Sequence, residues 1–210
     1  MPYYSVANGR IKGVFLNWDD CKHSVTGFKN AIYKKFETED EAKNFISERT
    51  IENGKERFIP DYFVYTDGSC RNNGRLDAIS GIGVFFGIAD ERNVSERVIG
   101  KQTNNIAELS AVIKAGSIIE SDIKAGKKIE IVTDSEYVIK CVYSYGEKCN
   151  KKGWENVDIP NKDLVKLVFE MFNSNPNIQF SHVRAHTGNT DIHSMCNDLV
   201  DKLANAAIDI

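Results

Sequence analysis

The run DYFVYTDG (61–68) decides the fold. Tyr62 to Thr66 is a short block of aromatic and β-branched residues closed by Asp67 and Gly68, and KKIEIVTD (127–134) ends in the same way on Asp134. Such blocks, bounded by turn residues, read as buried strands. A carboxylate at the end of such a strand stands where α/β proteins place their ligands. Outward from the first strand, SGIGVFFGI (80–88) and ERVIG (96–100) continue a meander. NNIAELSAVIKAGSIIES (104–121) carries Ile106, Leu109, Ile113 and Ile119 at helical spacing. Beyond the second strand come a helix from Ser135, a basic irregular stretch YGEKCNKKGWENVDIP (145–160) and a helix NKDLVKLVFEMF (161–172). The strand IQFSHVR (178–184), a loop and the helix NDLVDKLANAAI (197–208) close the chain. Strands in a meander followed by alternating helices and strands predict an α/β fold, a mixed sheet flanked by helices.

The first 60 residues do not belong to that pattern. YYSVANG (3–9), GVFL (13–16) and AIYKKF (31–36) read as short strands, a helix starts at Trp18 and ends near Gly27, and TEDEAKNFISER (38–49) is a second helix with an acidic first turn. This makes a small α+β module at 1–49. The polar stretch 50–60, with Asn53-Gly54 and Pro60, reads as a linker to a domain at 61–210. Two hundred and ten residues suit that division. The net charge of −3 conceals an asymmetry: residues 1–36 hold six basic side chains against two acids, and residues 60–210 hold seventeen against twenty-one.

No apolar run approaches the roughly 20 residues that cross a bilayer. The N-terminus lacks a basic-then-apolar leader, and the five cysteines show no CxxC pair. These features predict a cytoplasmic chain with reduced thiols and no membrane partner. The absence of a coiled-coil stripe predicts a monomer.

Four acids invite a chemical reading. Asp67 and Asp134 end strands, Glu108 lies in the first turns of a helix, and Asp201 lies in the last helix. Taken singly, Asp67 and Asp134 read more readily as turn or cap residues and Glu108 as a solvated helix charge; the combination is what points to chemistry. Converged, they would repel one another unless a cation neutralised them. Oxygen donors without cysteine or histidine select magnesium or manganese over zinc. Two such ions about 4 Å apart suit in-line displacement at phosphorus.

Several strings together carry a family. YTDGSCRNNG (65–74), QTNNIAEL (102–109), IVTDSEYV (131–138), NKDLVKL (161–167), HVRAHTG (182–188) and NDLVDKLANAA (197–207) make residues 61–210 resemble type 1 ribonuclease H. Residues 1–48 are similar to the RNA–DNA hybrid-binding domain that precedes many of these enzymes. The resemblance implies a ribonuclease H-like mixed five-stranded sheet flanked by helices. It implies an endonuclease that hydrolyses RNA paired with DNA by two-metal-ion catalysis, leaving 5′-phosphate and 3′-hydroxyl ends. The metal ligands it implies are Asp67, Glu108, Asp134 and Asp201, holding two Mg2+ ions or Mn2+ in their place. His186 matches a loop histidine that assists proton transfer and product release.

The resemblance also implies the substrate contacts. Asn73, Asn104 and Asn105 match readers of the hybrid's minor groove, where 2′-hydroxyls distinguish RNA from DNA. Lys101, Thr103 and Asn161 match a pocket for a DNA-strand phosphate, with Lys101 where an Arg is common, so that the bidentate fork is lost. Trp154 and the lysines before it resemble a basic protrusion along the backbone. In the first module Tyr4, Trp18 and Tyr33 match aromatics that lie on the DNA strand, beside the phosphate charges Lys34 and Lys35. Two departures stand out: Glu136 replaces a neutral substrate contact, and the loop from His186 to Asp201 is long, with fourteen residues between them. Asp198 and Asp201, three apart, are not separated by periodicity. The family's spacing, Asn-x3-Asp-x-Leu-Ala, matches Asn197 to Ala204 and selects Asp201.

Overall fold

The computed structural model describes residues 2–49, 51–52, 55–56, 58–185 and 190–209, and of 47–49, 51–52 and 55–56 the backbone alone. The chain forms two compact units, Met1–Phe58 and Ile59–Ile210.

In the first unit, strands β1 (Tyr3–Asn8), β2 (Gly13–Phe15) and β3 (Ile32–Phe36) form an antiparallel sheet in the order β2-β1-β3. Helix α1 (Trp18–Val25) is capped by Asn17, whose side chain accepts from the Asp20 N–H, and α2 is Glu39–Arg49. Alternation along β1 serves both helices. Val6 packs with Cys21 and Val25 of α1, and Ser5 Oγ donates to the Ala42 carbonyl of α2 at 2.6 Å. Within the stretch expected as a linker, β4 (Ile51–Glu52) and β5 (Lys55–Glu56) pair in a short antiparallel ladder.

The second unit is the expected mixed sheet of five strands flanked by helices. Strands β6 (Tyr62–Arg71), β7 (Ile79–Phe85), β8 (Val94–Arg97), β9 (Ile129–Thr133) and β10 (Ile178–His182) lie in the order β10-β9-β6-β7-β8. The meander β6-β7-β8 is antiparallel, while β9 runs parallel to both β6 and β10. Helices α3 (Asn104–Lys124), α4 (Glu136–Val142), α5 (Ser144–Lys152), α6 (Lys162–Phe172) and α7 (Ile192–Ala206) flank it. Val64, Ile131, Leu109, Val112, Ile119 and Phe172 are fully or almost fully buried in one core. Each such side chain contributes about 1.5–3 kcal/mol by leaving water.

Four expectations need correction. Asp67 does not end its strand: β6 continues through Gly68 to Arg71, paired with β7 throughout, so the acid lies within the strand. The stretch 145–160 is not irregular: most of it is α5 and a 3₁₀ turn at Trp154–Asn156, with Gly146 and Cys149 as the buried contacts of α5. The strand expected at 96–100 lies at Val94–Arg97, because Val94 is the buried position and Ile99 is almost fully exposed. The last helix begins at Ile192 with Asp191 as its cap, so most of the supposed loop between His186 and Asp201 is helical.

The buried face of α7 also differs from a reading by large apolar residues. Ser194, Asn197, Val200 and Ala204 face inward, while Leu199 and Leu203 are half-buried and Ala206 is exposed. Strand glycines explain this. A Cβ on Gly83 would stand 2.4 Å from the Val200 carbonyl oxygen, and one on Gly81 2.4 Å from that of Ala204. The helix backbone lies directly on β7, where only small side chains fit.

Candidate active site

β6 and β9 are parallel neighbours, with Thr66 opposite Thr133, so their following aspartates emerge side by side. Gly68 admits the third acid. A Cβ there would stand 2.2 Å from the Glu108 nitrogen, so α3 crosses the strand in backbone contact. As a result, carboxylate oxygens of Asp67, Glu108 and Asp134 lie within 4.8 Å of one another. Asp67 and Glu108 are each only 6% exposed. Burial foremost, then the charges of Asp67 and Asp134, push the Glu108 carboxyl well above the usual carboxylate range, opposed by hydrogen bonds from the Gly68 N–H and the Asn104 side chain. Glu108 Oε2 is buried with no hydrogen-bond partner among the described residues.

The chemistry of this donor set fits a hard divalent cation. A hard divalent cation would relieve the repulsion and satisfy the orphaned oxygen in this buried corner, and no thiol or imidazole stands among the three donors.

Asp201, the fourth expected acid, lies outside the 4.8 Å group. It is half-buried, and its Oδ1 accepts from Asn205 Nδ2 at 3.0 Å. At about 100° per residue, Asp201 stands about 40° from the inward-facing Asn197 around α7, and Asp198 about 100°. Asp201 is thus the aspartate nearer the sheet. Four residues that the sequence did not assign to the site support it through three hydrogen bonds. Asn197 Nδ2 donates to Asp134 Oδ2 at 3.2 Å, Ser69 Oγ donates to Asn205 Oδ1 at 2.6 Å, and His182 Nε2 donates to the Asp134 carbonyl at 3.1 Å. The only sequence signal for Asn197 is its spacing of four from Asp201.

The expected substrate residues divide. Asn73 and Asn104 meet beside the acids, the Asn104 N–H donating to Asn73 Oδ1 at 3.2 Å, and both are exposed, as is Asn105. Lys101 is exposed, Thr103 caps α3 by accepting from the Ile106 N–H, and Asn161 stands in the left-handed region (φ 57°) before α6. Trp154 is a core residue: it is 9% exposed, packs on Phe169 and donates to Asn150 Oδ1 at 3.1 Å. His186 lies outside the described residues. The charge of Glu136 is paired with Lys140 at 2.7 Å.

In the first unit, Trp18 joins Tyr4 and Tyr33 in a row of rings with centroids 5.6 and 5.8 Å apart. The rings meet tilted, at 50° and 43°, and leave Trp18 40% and Tyr33 47% exposed. Lys35 pairs across the sheet with Tyr4, on the face that holds these rings. Lys34 turns to the other face, over the Phe36 ring at 5.2 Å.

Comparison with known proteins accords with this geometry. Residues 60–209 match the family described as RNase H, and residues 2–46 the family described as Ribonuclease H1 N-terminal domain. The chain is 31% identical to Ribonuclease H1 of Rattus norvegicus, over 89% of this chain and 84% of that protein. It is 30% identical to Ribonuclease H1 of Homo sapiens, with the same coverage. Among solved structures, LC11-RNase H1, isolated from compost by a metagenomic approach, superposes with a TM-score of 0.50 at 26% identity, over 72% of this chain and 97% of that one. The foamy viral protease-reverse transcriptase in complex with RNA/DNA hybrid shares the fold, with a TM-score of 0.57 at 23% identity, over 75% of this chain and 22% of that one.

Proposed function

The chain belongs to the ribonuclease H family, and from that premise we propose that Asp67, Glu108, Asp134 and Asp201 hold two magnesium ions at which the RNA strand of an RNA–DNA hybrid is hydrolysed. The observation that carries this reading is the buried group of three carboxylates with one oxygen of Glu108 unsatisfied. Bound divalent ions would supply activation of water and stabilisation of the leaving 3′-oxygen.

The chain's own residues prepare that site. The Gly68 N–H and the Asn104 side chain hold Glu108. Asn197 and His182 hold the side chain and the backbone of Asp134. Asn73, Asn104 and Asn105 supply amides suited to minor-groove edges and 2′-hydroxyls, and Lys101 with Thr103 and Asn161 supplies a phosphate contact. His186 would move a proton at the scissile phosphate. In the hybrid-binding domain at residues 1–49, the rings of Tyr4, Trp18 and Tyr33 with Lys35 form a surface for a nucleic-acid backbone, and Lys34 adds charge on the opposite face. Residues 50–60 link it to the catalytic domain at 61–210. Among the described residues no helix is long and apolar enough to cross a membrane.

End-labelled RNA presented as RNA–DNA hybrid, single strand and RNA duplex tests this reading. Cleavage of the hybrid alone, present with Mg2+ and abolished by chelation, is expected. Equal cleavage of all three, or cleavage without a divalent ion, would contradict it.

A further inference from the structure

A hydrogen-bond relay runs from the strand that carries Asp67 to the acid on the last helix. Ser69 lies two residues beyond Asp67 and therefore on the same face of β6, the face α7 covers. Its hydroxyl donates to Asn205 Oδ1 at 2.6 Å, and Asn205 Nδ2 donates to Asp201 Oδ1 at 3.0 Å. The chemistry fixes the direction. A carboxylate only accepts, so the amide NH2 group must face Asp201, and its carbonyl is left for the serine. An i,i+4 contact within one helix is commonplace by itself. Here the amide is also held from 136 residues away in sequence, so its rotamer is set by β6 rather than by the helix.

We propose that Asn205 is a positioning residue for Asp201: anchored by Ser69, it turns the Asp201 carboxylate into the orientation in which that acid binds the cation. The inference rests on the reading of Asp201 as a metal ligand. Outer hydrogen bonds orient metal-ligating carboxylates, and their loss typically weakens metal affinity or activity by about 10–100-fold. The relay also explains how Asp201 serves the site while standing outside the close group of three. Its orientation is fixed from the β6 side, independently of Asp134 and Glu108.

The test uses the full-length chain with Asn205→Ala, Ser69→Ala, Asp201→Asn and the double variant Asn205→Ala/Asp201→Asn. Mn2+ binding is followed by electron paramagnetic resonance, and the Mg2+ concentration for half-maximal hybrid cleavage and the metal-free Tm are measured alongside. Asn205→Ala should weaken Mn2+ binding and raise the Mg2+ requirement by about tenfold. Ser69→Ala should shift both in the same direction by a smaller factor. On the Asp201→Asn background, Asn205→Ala should change nothing beyond about twofold, because its target is gone. If Asn205→Ala leaves metal binding intact while Asp201→Asn weakens it, the positioning role is wrong and the ligand role stands. If the Asn205→Ala loss persists in full on the Asp201→Asn background, the relay only staples helix to sheet. If Asp201→Asn itself leaves Mn2+ binding unchanged, the ligand reading and the relay's purpose fall together.

Discussion

At Glu108, burial and the two neighbouring aspartates act in one direction, holding the proton on the folded chain. A carboxyl whose folded pKa exceeds its unfolded value, about 4.3 for Glu, binds more protons folded than unfolded. Its effect on stability is absent below the unfolded pKa, grows unfavourable as pH climbs toward the raised folded value, and is constant above it. Glu108→Gln removes that penalty. The metal-free variant should therefore melt above the wild type at neutral pH, and the two should converge as the pH falls toward about 4. Mg2+ should raise the wild-type Tm by binding only the folded state, and raise that of the variant less. Melting curves across pH, with and without Mg2+, check this. A variant less stable than wild type at neutral pH without metal would show that Glu108 is held by contacts that outweigh its repulsion.

Elements are brought to the site by backbone contact. Gly83→Ala would place a Cβ 2.4 Å from the Val200 carbonyl oxygen and 2.9 Å from the Ala204 nitrogen, and backbone cannot swing aside. It should cost about 1–3 kcal/mol, as overpacking does, and lower hybrid cleavage by displacing α7 and Asp201. Gly87→Ala, with nothing within 4 Å of its Cβ, should stay within about 0.5 kcal/mol. Chemical denaturation and cleavage assays on both variants measure the difference. The same geometry decides what the sequence could convey. The apolar runs before Asp67 and Asp134 were legible because buried strand segments are rich in β-branched and aromatic residues, though β6 continues past Asp67 to Arg71. Helix α5 was not, since it packs through Gly146 and Cys149, with Gly146 in contact with the Cys141 carbonyl and the Phe169 ring. Large apolar residues do not mark the inward face of α7, because strand glycines let small residues face inward while Leu199 and Leu203 stay half-buried. Asn205 was invisible as a site partner and Asn197 showed only its spacing from Asp201, since their contacts join residues 136 and 63 apart.

At the scale of the molecule, the positive charge of residues 1–36 and the exposed ring row stand on the unit that lacks the acids. A tethered second binding site raises effective concentration without altering chemistry. Trp18→Ala with Lys35→Ala should weaken affinity for long hybrids by about tenfold or more, leave short hybrids little changed, and lower the salt slope by about 0.9 per lost phosphate contact. Titrations on both hybrid lengths over a range of salt decide this, and an unchanged slope in the folded double variant would confine Trp18 to structure. On the proposed reading Asp67 within β6, Asp134 at the end of β9 and Glu108 on α3 perform metal-dependent hydrolysis of RNA paired with DNA. The most direct test of that reading is Asp67→Asn, which keeps the shape of a buried acid and removes its charge, with cleavage at saturating hybrid and hybrid affinity measured on one preparation in Mg2+. Cleavage should fall by about a thousandfold or more, roughly 4 kcal/mol in barrier, while the hybrid still binds. Near-normal Mg2+-dependent cleavage by that variant would contradict the account.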